Sequence, residues 1–152
     1  MLNRFHVQPQ GHTNASLNHT NDNPQTDLLD LIEQITGTHV DYQDDTRLPI
    51  AQRFERFHAA NPAVYTALRI LARQWKNAGR QRLGIAALFE RLRWEIGIRT
   101  EGDPWKCNND YRSFYARKLM AENADLDGLF ETRRSAADQW IADRDDNLGR
   151  AA

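Results

Sequence analysis

The stretch NPAVYTALRILARQWKNAG, residues 61–79, decides the fold class of this chain. Pro62 disfavours helix at the residue before it and suits the first position of a new helix, which Asn61 can cap. Apolar side chains then recur at the i, i+4, i+7, i+11 spacing of one buried helical face: Val64, Leu68, Leu71 and Trp75. Gly79 suits the position just past the end of a helix. The stretch therefore predicts a helix to about Ala78 that packs through one face.

Similar patterns predict helices on both sides of this stretch. Thr26 can cap a helix over 27–36 that Gly37 ends, and Pro49 suits the first turn of a helix through about Ala60. Further helices are predicted over 84–98, from Asn108 or Asn109 to about Glu122, and over 125–143. The apolar residues expected inside these helices are Leu28, Leu31, Ile32, Ile35, Ile50, Phe54, Phe57, Ile85, Leu88, Phe89, Leu92, Ile96, Tyr111, Tyr115, Leu119, Leu126, Leu129, Phe130 and Ile141. The sequence therefore predicts an all-α protein, a compact bundle of about five to six helices.

The two ends of the chain are predicted to lie outside this bundle. Residues 1–25 are rich in Asn, Gln, Thr and His and lack apolar periodicity, which is typical of a disordered tail. His6, His12 and His19 fit no compact metal-ligand spacing and are expected to be solvated. Residues 26–143 form the single predicted domain, and residues 144–152 are expected to fray. The absence of a signal peptide and of an apolar run near ~18–20 residues favours a cytoplasmic protein without a membrane partner.

Charge is distributed unevenly along the chain. Residues 1–46 carry one basic and seven acidic side chains, residues 47–118 carry fifteen basic and six acidic, and residues 119–152 carry four basic and eight acidic. Such asymmetry bears on partners rather than on fold. The basic middle predicts an anionic partner, although the acidic ends of the same chain are an alternative partner for it.

A first group of basic residues lies on the predicted helix over 62–78 and the loop after it. Arg69, Arg73, Lys76 and Arg80 repeat at i, i+4, i+7, i+11, nearly opposite the apolar face, and Arg82 follows in a loop bounded by Gly79 and Gly84. No acidic residue at i±4 balances this stripe. Long cationic side chains in this arrangement suit phosphate contacts, and a solvated helix face is the alternative.

A second group lies where the fourth and fifth predicted helices resemble a helix-turn-helix pair, although the connection between them is near ten residues. In this interpretation the fifth helix lies near or in a groove. The residues nearest the nucleic acid would be Asn109, Arg112, Ser113, Arg117 and Lys118. Asparagine and arginine are the types that pair with adenine and guanine edges. A core-forming helix pair with solvated arginines is an equal alternative.

The remaining residues with chemical potential favour no enzyme and no cofactor. The chain has no Gly-rich phosphate loop, nucleophile elbow or His-x-x-x-His pair. The single Cys107, beside Lys106, is expected to be an ordinary loop cysteine. Trp105 is expected to cover its own core from a loop, and core packing accounts for the three other tryptophans, Trp75, Trp94 and Trp140.

Four segments resemble a group of small uncharacterised proteins encoded by phages and prophage-like regions of bacterial genomes. They are FERFHAANPAVYTAL (Phe54–Leu68), RQRLGIAALFERLRWE (Arg80–Glu95), NNDYRSFYARKLM (Asn108–Met120) and DLDGLFETRRS (Asp125–Ser135). The resemblance spans a little over half of the chain and implies no activity and no site residues. A phage setting suits a regulatory DNA-binding protein, and equally a protein that disables a host factor.

Together these features predict a nucleic-acid-binding protein, with DNA favoured over RNA, that contacts phosphates through the basic helix stripe and its loop. The alternative is a non-enzymatic module that binds or inhibits a host protein through its charged surfaces. Steep salt dependence of binding would distinguish the first from the second.

Overall fold

Six α-helices make up the part of the chain that the computed structural model describes, which is residues 24–37, 44–101 and 105–151, with the backbone alone for 24–27 and 37. The helices are α1 (Pro24–Gly37), α2 (Ile50–Ala60), α3 (Pro62–Asn77), α4 (Ile85–Gly97), α5 (Tyr111–Glu122) and α6 (Ala136–Ala151), and a 3₁₀ turn lies over Ala124–Leu126. Within these ranges there is no strand, only a single parallel bridge between Leu83 and Phe130. The predicted all-α class is confirmed.

Helix α5 lies at the centre, packed against α2, α4 and α6. An aromatic cluster joins three of these helices: the Phe54 ring of α2 lies 4.9 Å from the rings of Phe114 and Tyr115 on α5 and 5.1 Å from Trp140 on α6. Seven of the twelve α5 residues are buried. A helix buried on most of its circumference belongs to the core of a domain.

The Asn61-Pro62 boundary is confirmed, although Asn61 acts differently from the prediction. Pro62 is the first residue of α3, and the Asn61 carbonyl accepts a hydrogen bond from the Val64 N–H at 3.1 Å. The Asn61 side chain makes no cap of α3, because its Nδ2 donates to the Phe57 carbonyl of α2 at 3.0 Å. Asn61 therefore closes the end of α2 with its side chain and begins α3 with its backbone.

Asp44 ties the start of α5 to α2. Its carboxylate accepts hydrogen bonds from Arg53 at 2.7 Å, from the Asn108 side chain at 3.1 Å and from the Tyr111 hydroxyl at 3.0 Å. The Arg53 hydrogen bond, with those of Asn108 and Tyr111, lowers the pKa of Asp44 to about 2. Asp44 therefore fixes the beginning of α5 through charge-assisted hydrogen bonds.

The last helix corrects the prediction of a helix over 125–143. Leu126, Leu129 and Phe130 are buried as expected, but Leu126 ends a 3₁₀ turn and the other two lie in an irregular segment in which Gly128 has φ +71°. The Leu83 N–H donates to the Leu129 carbonyl at 3.0 Å, so backbone groups here bond across the chain instead of within a helix. Residues 144–151, expected to fray, belong to α6.

Two tryptophans and the first cap also depart from the prediction. Trp75 is 38% exposed and Trp94 is 65% exposed, whereas Trp140 is buried and Trp105 packs against the core as expected. Thr26 lies inside α1, which begins at Pro24, and so does not cap it. Residues 1–23, which hold His6, His12 and His19 and most of the predicted tail, lie outside the described residues. No described helix combines the length and apolar character needed to span a bilayer.

Candidate nucleic-acid interface

The predicted basic stripe on α3 is largely engaged by the acidic end of the chain. Arg73 donates to both carboxylate oxygens of Asp125, at 2.8 and 3.0 Å, and to the Asn123 side-chain oxygen at 3.2 Å. Lys76 donates to the main-chain carbonyl of Asp125. The Arg73 hydrogen bond lowers the pKa of Asp125. The acid that balances this stripe is thus 52 residues away in sequence.

The other members of the stripe lie over aromatic rings. The Arg69 guanidinium is 5.7 Å from the centre of the Tyr65 ring, and that of Arg80 is 5.9 Å from the centre of the Trp75 ring. Arg80 is exposed and Arg69 is partly buried. Such contacts are worth about 0.5–1 kcal/mol at exposed sites, which leaves the cation of Arg80 available to an anion and that of Arg69 available in part. The stripe therefore retains Arg80, and in part Arg69, as an accessible cation, while Arg73 and Lys76 are already engaged.

Two predicted contact residues on α5 are inside the protein. Arg117 and Lys118 are only 7% and 5% exposed. Arg117 donates to Asp138 at 2.6 Å, to the Ser113 carbonyl at 3.0 Å and to the Arg133 carbonyl at 2.7 Å. Lys118 forms an ion pair with Glu122 and lies 5.3 Å from the centre of the Tyr65 ring. Both cations are therefore engaged within the protein, and this burial does not suit a recognition helix that lies in a groove.

The rest of the second predicted group lines an open cleft. Asn109, Arg112 and Ser113, at the start of α5, face residues 131–136 across a space of about 490 Å³. Ile50, Ile85 and Phe114 provide apolar lining. We call this space the arginine cleft, because Arg112, Arg133 and Arg134 are among its lining residues.

The Leu83–Phe130 bridge brings the predicted loop to the edge of this cleft. Residues 82–83 lie beside 129–131, and Arg82 forms an exposed ion pair with Glu131 at 3.6 Å. Glu131 itself lines the arginine cleft. The structure thus brings Arg82 of the first predicted group close to Asn109, Arg112 and Ser113 of the second.

The arginines of the cleft differ in what holds them. Arg112 donates to Glu90 at 2.8 Å and lies 5.6 Å from the centre of the Phe89 ring. Arg133 and Arg134 are exposed and make no ion pair with the described part of the chain. Asp110 and Glu131 are the acidic residues that line the cleft. Arg133 and Arg134 are therefore the cations here with the least intramolecular compensation.

The segment that carries these two arginines is fixed by hydrogen bonds. Arg117 holds the Arg133 carbonyl, and Asp138 accepts the Ser135 N–H at 2.8 Å. The pKa of Asp138 is lowered by that Ser135 N–H and then by Arg117, with a further effect from Arg134. The buried arginine of α5 thus positions the exposed pair that follows Thr132.

Sequence reasoning missed Arg133 and Arg134 because it placed them within a helix over 125–143. An available signal was the adjacent pair itself, in the polar run Glu131–Ser135 after Gly128. Two arginines between short polar residues are typical of a loop that meets an anion.

Another reactive group considered from sequence is the thiol of Cys107. Cys107 is buried, and burial raises the pKa of its thiol to about 12, so it is not a thiolate at neutral pH. Within the described ranges, no three His, Cys, Asp or Glu side chains come together as metal ligands.

Comparison of the chain with protein-family models, with curated proteins and with solved structures found no match. The resemblance to phage-encoded proteins therefore stays a prediction.

Proposed function

We propose that this protein binds nucleic acid by placing phosphate groups in the arginine cleft. The observation that carries the proposal is the adjacent pair Arg133 and Arg134, which is exposed and without an ion-pair partner among the described residues, at the rim of an open cleft. Arginine binds phosphate bidentately, and Asn109 adds a neutral donor of the kind that contacts phosphate and sugar oxygens.

The size of the cleft favours a single strand over a duplex. A space of about 490 Å³ is of the order of a small-molecule site, ~300–1,000 Å³, and suits one phosphate with its sugar or base. The burial of α5 removes the base-reading helix that a duplex would need. The partly buried apolar side chains of Ile50 and Ile85 give a base a surface to contact. Binding should therefore follow the backbone with little sequence preference.

The test is binding of fluorescently labelled single strands of about 20 nucleotides, DNA and RNA, with a duplex for comparison. Contacts from Arg112, Arg133 and Arg134 predict a slope of log affinity against log salt of about −2, at about −0.7 for each phosphate on a single strand. Anisotropy titrations between about 50 and 200 mM salt measure that slope. Failure of every strand to bind at low salt would overturn the proposal.

A pair of charge-matched double variants separates the cleft from net charge. Arg133→Gln/Arg134→Gln should weaken single-strand binding at least about tenfold and remove about 1.4 from the salt slope. Arg56→Gln/Arg150→Gln alters two exposed arginines away from the cleft and changes net charge equally. An equal loss in both double variants would place the contact elsewhere.

The regulatory role, the phage setting, the cytoplasmic location and the absence of catalysis expected from sequence remain predictions. A different surface, between α3 and α4, favours a protein-binding role.

A further inference from the structure

A groove lies between the end of α3 and the start of α4, on residues that line no part of the arginine cleft. Its volume is about 380 Å³. Its apolar lining consists of Leu71, Trp75, Ala78, Leu83, Ala87 and Leu88. The two polar lining residues are Gln74 and Arg91. We call this space the α3–α4 groove.

The outer face of α4 extends the apolar surface beyond the groove. Ala87, Arg91, Trp94 and Ile98 follow at i, i+4, i+7 and i+11, the spacing of one helical face. Trp94 is 65% exposed and Ile98 is 58% exposed. The large apolar side chains exposed in the described ranges are Trp75, Trp94, Ile98 and Leu148. Trp94 and Ile98 belong to this face, and Trp75 lines the groove beside it. Contiguous exposed apolar surface marks interaction sites, whereas scattered single residues do not.

The wall of the groove at Trp75 is held in place before any partner binds. The indole Nε1 donates to the Arg82 carbonyl at 3.0 Å, and the Arg80 guanidinium lies 5.9 Å from the ring centre. A fixed, exposed tryptophan loses little conformational entropy on binding, which is why such residues are energetic anchors of interfaces.

The charges around the groove are positive. Arg91 lies in its wall, and Arg80 and Arg82 flank Trp75. No acidic residue lines it. Of the two acids of α4, Glu90 is ion-paired with Arg93 and Arg112. Glu95, whose side chain is 7% exposed, is ion-paired with Arg91 and Arg99. A partner therefore meets apolar surface with a cationic rim.

We propose that the α3–α4 groove binds an amphipathic helix of a partner protein that carries acidic residues beside its apolar face. A groove between two helices, continued by a helical stripe, suits apolar anchors spaced i, i+3, i+4 and i+7. Carboxylates flanking those anchors meet Arg80 and Arg91 at the rim, which sets orientation and discriminates against basic partners. This function is independent of nucleic-acid binding because the two sites share no lining residue.

The test uses two synthetic peptides of about 20 residues that place leucines on one helical face and differ in their flanking positions, all Glu or all Lys. Titration of the full chain, followed by peptide fluorescence anisotropy, should show the Glu peptide binding at least about tenfold more tightly than the Lys peptide at low salt. Equal affinity, or no binding of the Glu peptide, would overturn the proposal.

Two variant pairs locate the contact. Trp94→Ala should weaken binding of the Glu peptide at least about tenfold, whereas Leu148→Ala, which removes an equally exposed apolar side chain from α6, should not. Arg80→Glu should narrow the preference for the Glu peptide, and Arg150→Glu should leave it unchanged. All four positions are exposed, so thermal unfolding should confirm an intact fold.

Sedimentation of the chain alone tests whether a second copy of the chain occupies the α3–α4 groove. A dimer that Trp94→Ala dissociates would assign the groove to a second copy and overturn the proposal. A monomer whose Glu-peptide affinity falls in Trp94→Ala supports it.

Discussion

Arg73 of α3 and Arg117 of α5 contact carboxylates, whereas Arg133 and Arg134 of the arginine cleft do not do so within the described residues. Arg73 and Arg117 each meet a carboxylate supplied by residues 119–152, the acidic end of the chain. Arg133 and Arg134 come from that same acidic end and have no ion-pair partner in the described part of the chain. This net-acidic segment thus supplies carboxylates to the basic middle and also supplies the most available arginines. Charge counted along a sequence does not give the charge of a surface.

The strength of these pairs depends on burial. An exposed pair such as Arg73–Asp125, whose side chains are 44% and 50% exposed, contributes about 0–1 kcal/mol and is screened by salt. The Arg117 side chain is buried, so removing it takes one donor away from Asp138 and from each of two carbonyls. The two kinds of pair should therefore respond differently to mutation.

The largest effect is expected for Arg117→Ala. Loss of a buried arginine with three acceptors should reduce the free energy of unfolding by about 3 kcal/mol, somewhat less if water reaches the half-exposed Asp138. Urea unfolding followed by circular dichroism measures this loss. Arg134→Ala, on the exposed side of the same segment, should stay within about 0.5 kcal/mol. Similar losses in the two variants would contradict the distinction between positioning and contacting arginines.

An intermediate effect is expected at His58, beside the buried Lys118. Burial, then the charge of Lys118, lowers the pKa of His58, with Arg144 acting in the same direction and Glu122 against it. The unfolded chain therefore takes up this proton first, and stability should fall as pH drops below about 6.5. Urea unfolding between about pH 5 and pH 8 measures how the free energy of unfolding changes with pH.

The matched control is His58→Phe, which keeps a ring against Phe54 and Tyr115. In this variant the free energy of unfolding should depend less on pH, because the contribution of His58 is gone. An unchanged pH dependence would mean that another group carries it.

The smallest effect is expected for Asp125→Asn, which removes the carboxylate that pairs with Arg73 of the α3 stripe. Stability should fall by less than about 1 kcal/mol because the pair is exposed. Single-strand affinity should rise a few-fold as Arg73 becomes free to meet phosphate. Asp127→Asn, an exposed neighbour outside any described ion pair, changes net charge equally and is the control. An equal gain in both variants would show that only net charge matters.

Sequence patterns were sufficient for helices α2 to α5 because their signals are local. Pro49, Pro62 and Gly79 mark helix ends, and most of the periodic apolar residues between them are buried, Trp75 being the exception that is exposed. The prediction of a helix over 125–143 was wrong at its start because Leu126, Leu129 and Phe130 have the i, i+3, i+4 spacing of a helix. They are buried from a turn and an irregular segment instead. Periodicity shows which residues are buried and not by which backbone conformation.

The candidate site was predictable only in part, because its pairings join distant residues. A search at i±4 found no acid near Arg73, whose partner Asp125 lies across the fold. Arg112 was recognisable from its position at a helix start, but the segment it faces is placed by Arg117 and by the Leu83–Phe130 bridge. Long-range contacts of this kind leave no periodic signal in the sequence.

The contact of Phe54 with Trp140 has a consequence for synthesis on the ribosome. These rings lie 5.1 Å apart but are separated by 85 intervening residues, so α2 cannot complete its packing until α6 has been translated. Helix α6 must also leave the exit tunnel before it can dock. Helices α2 to α5 therefore emerge with an apolar face uncovered, which delays completion of the core until α6 has emerged.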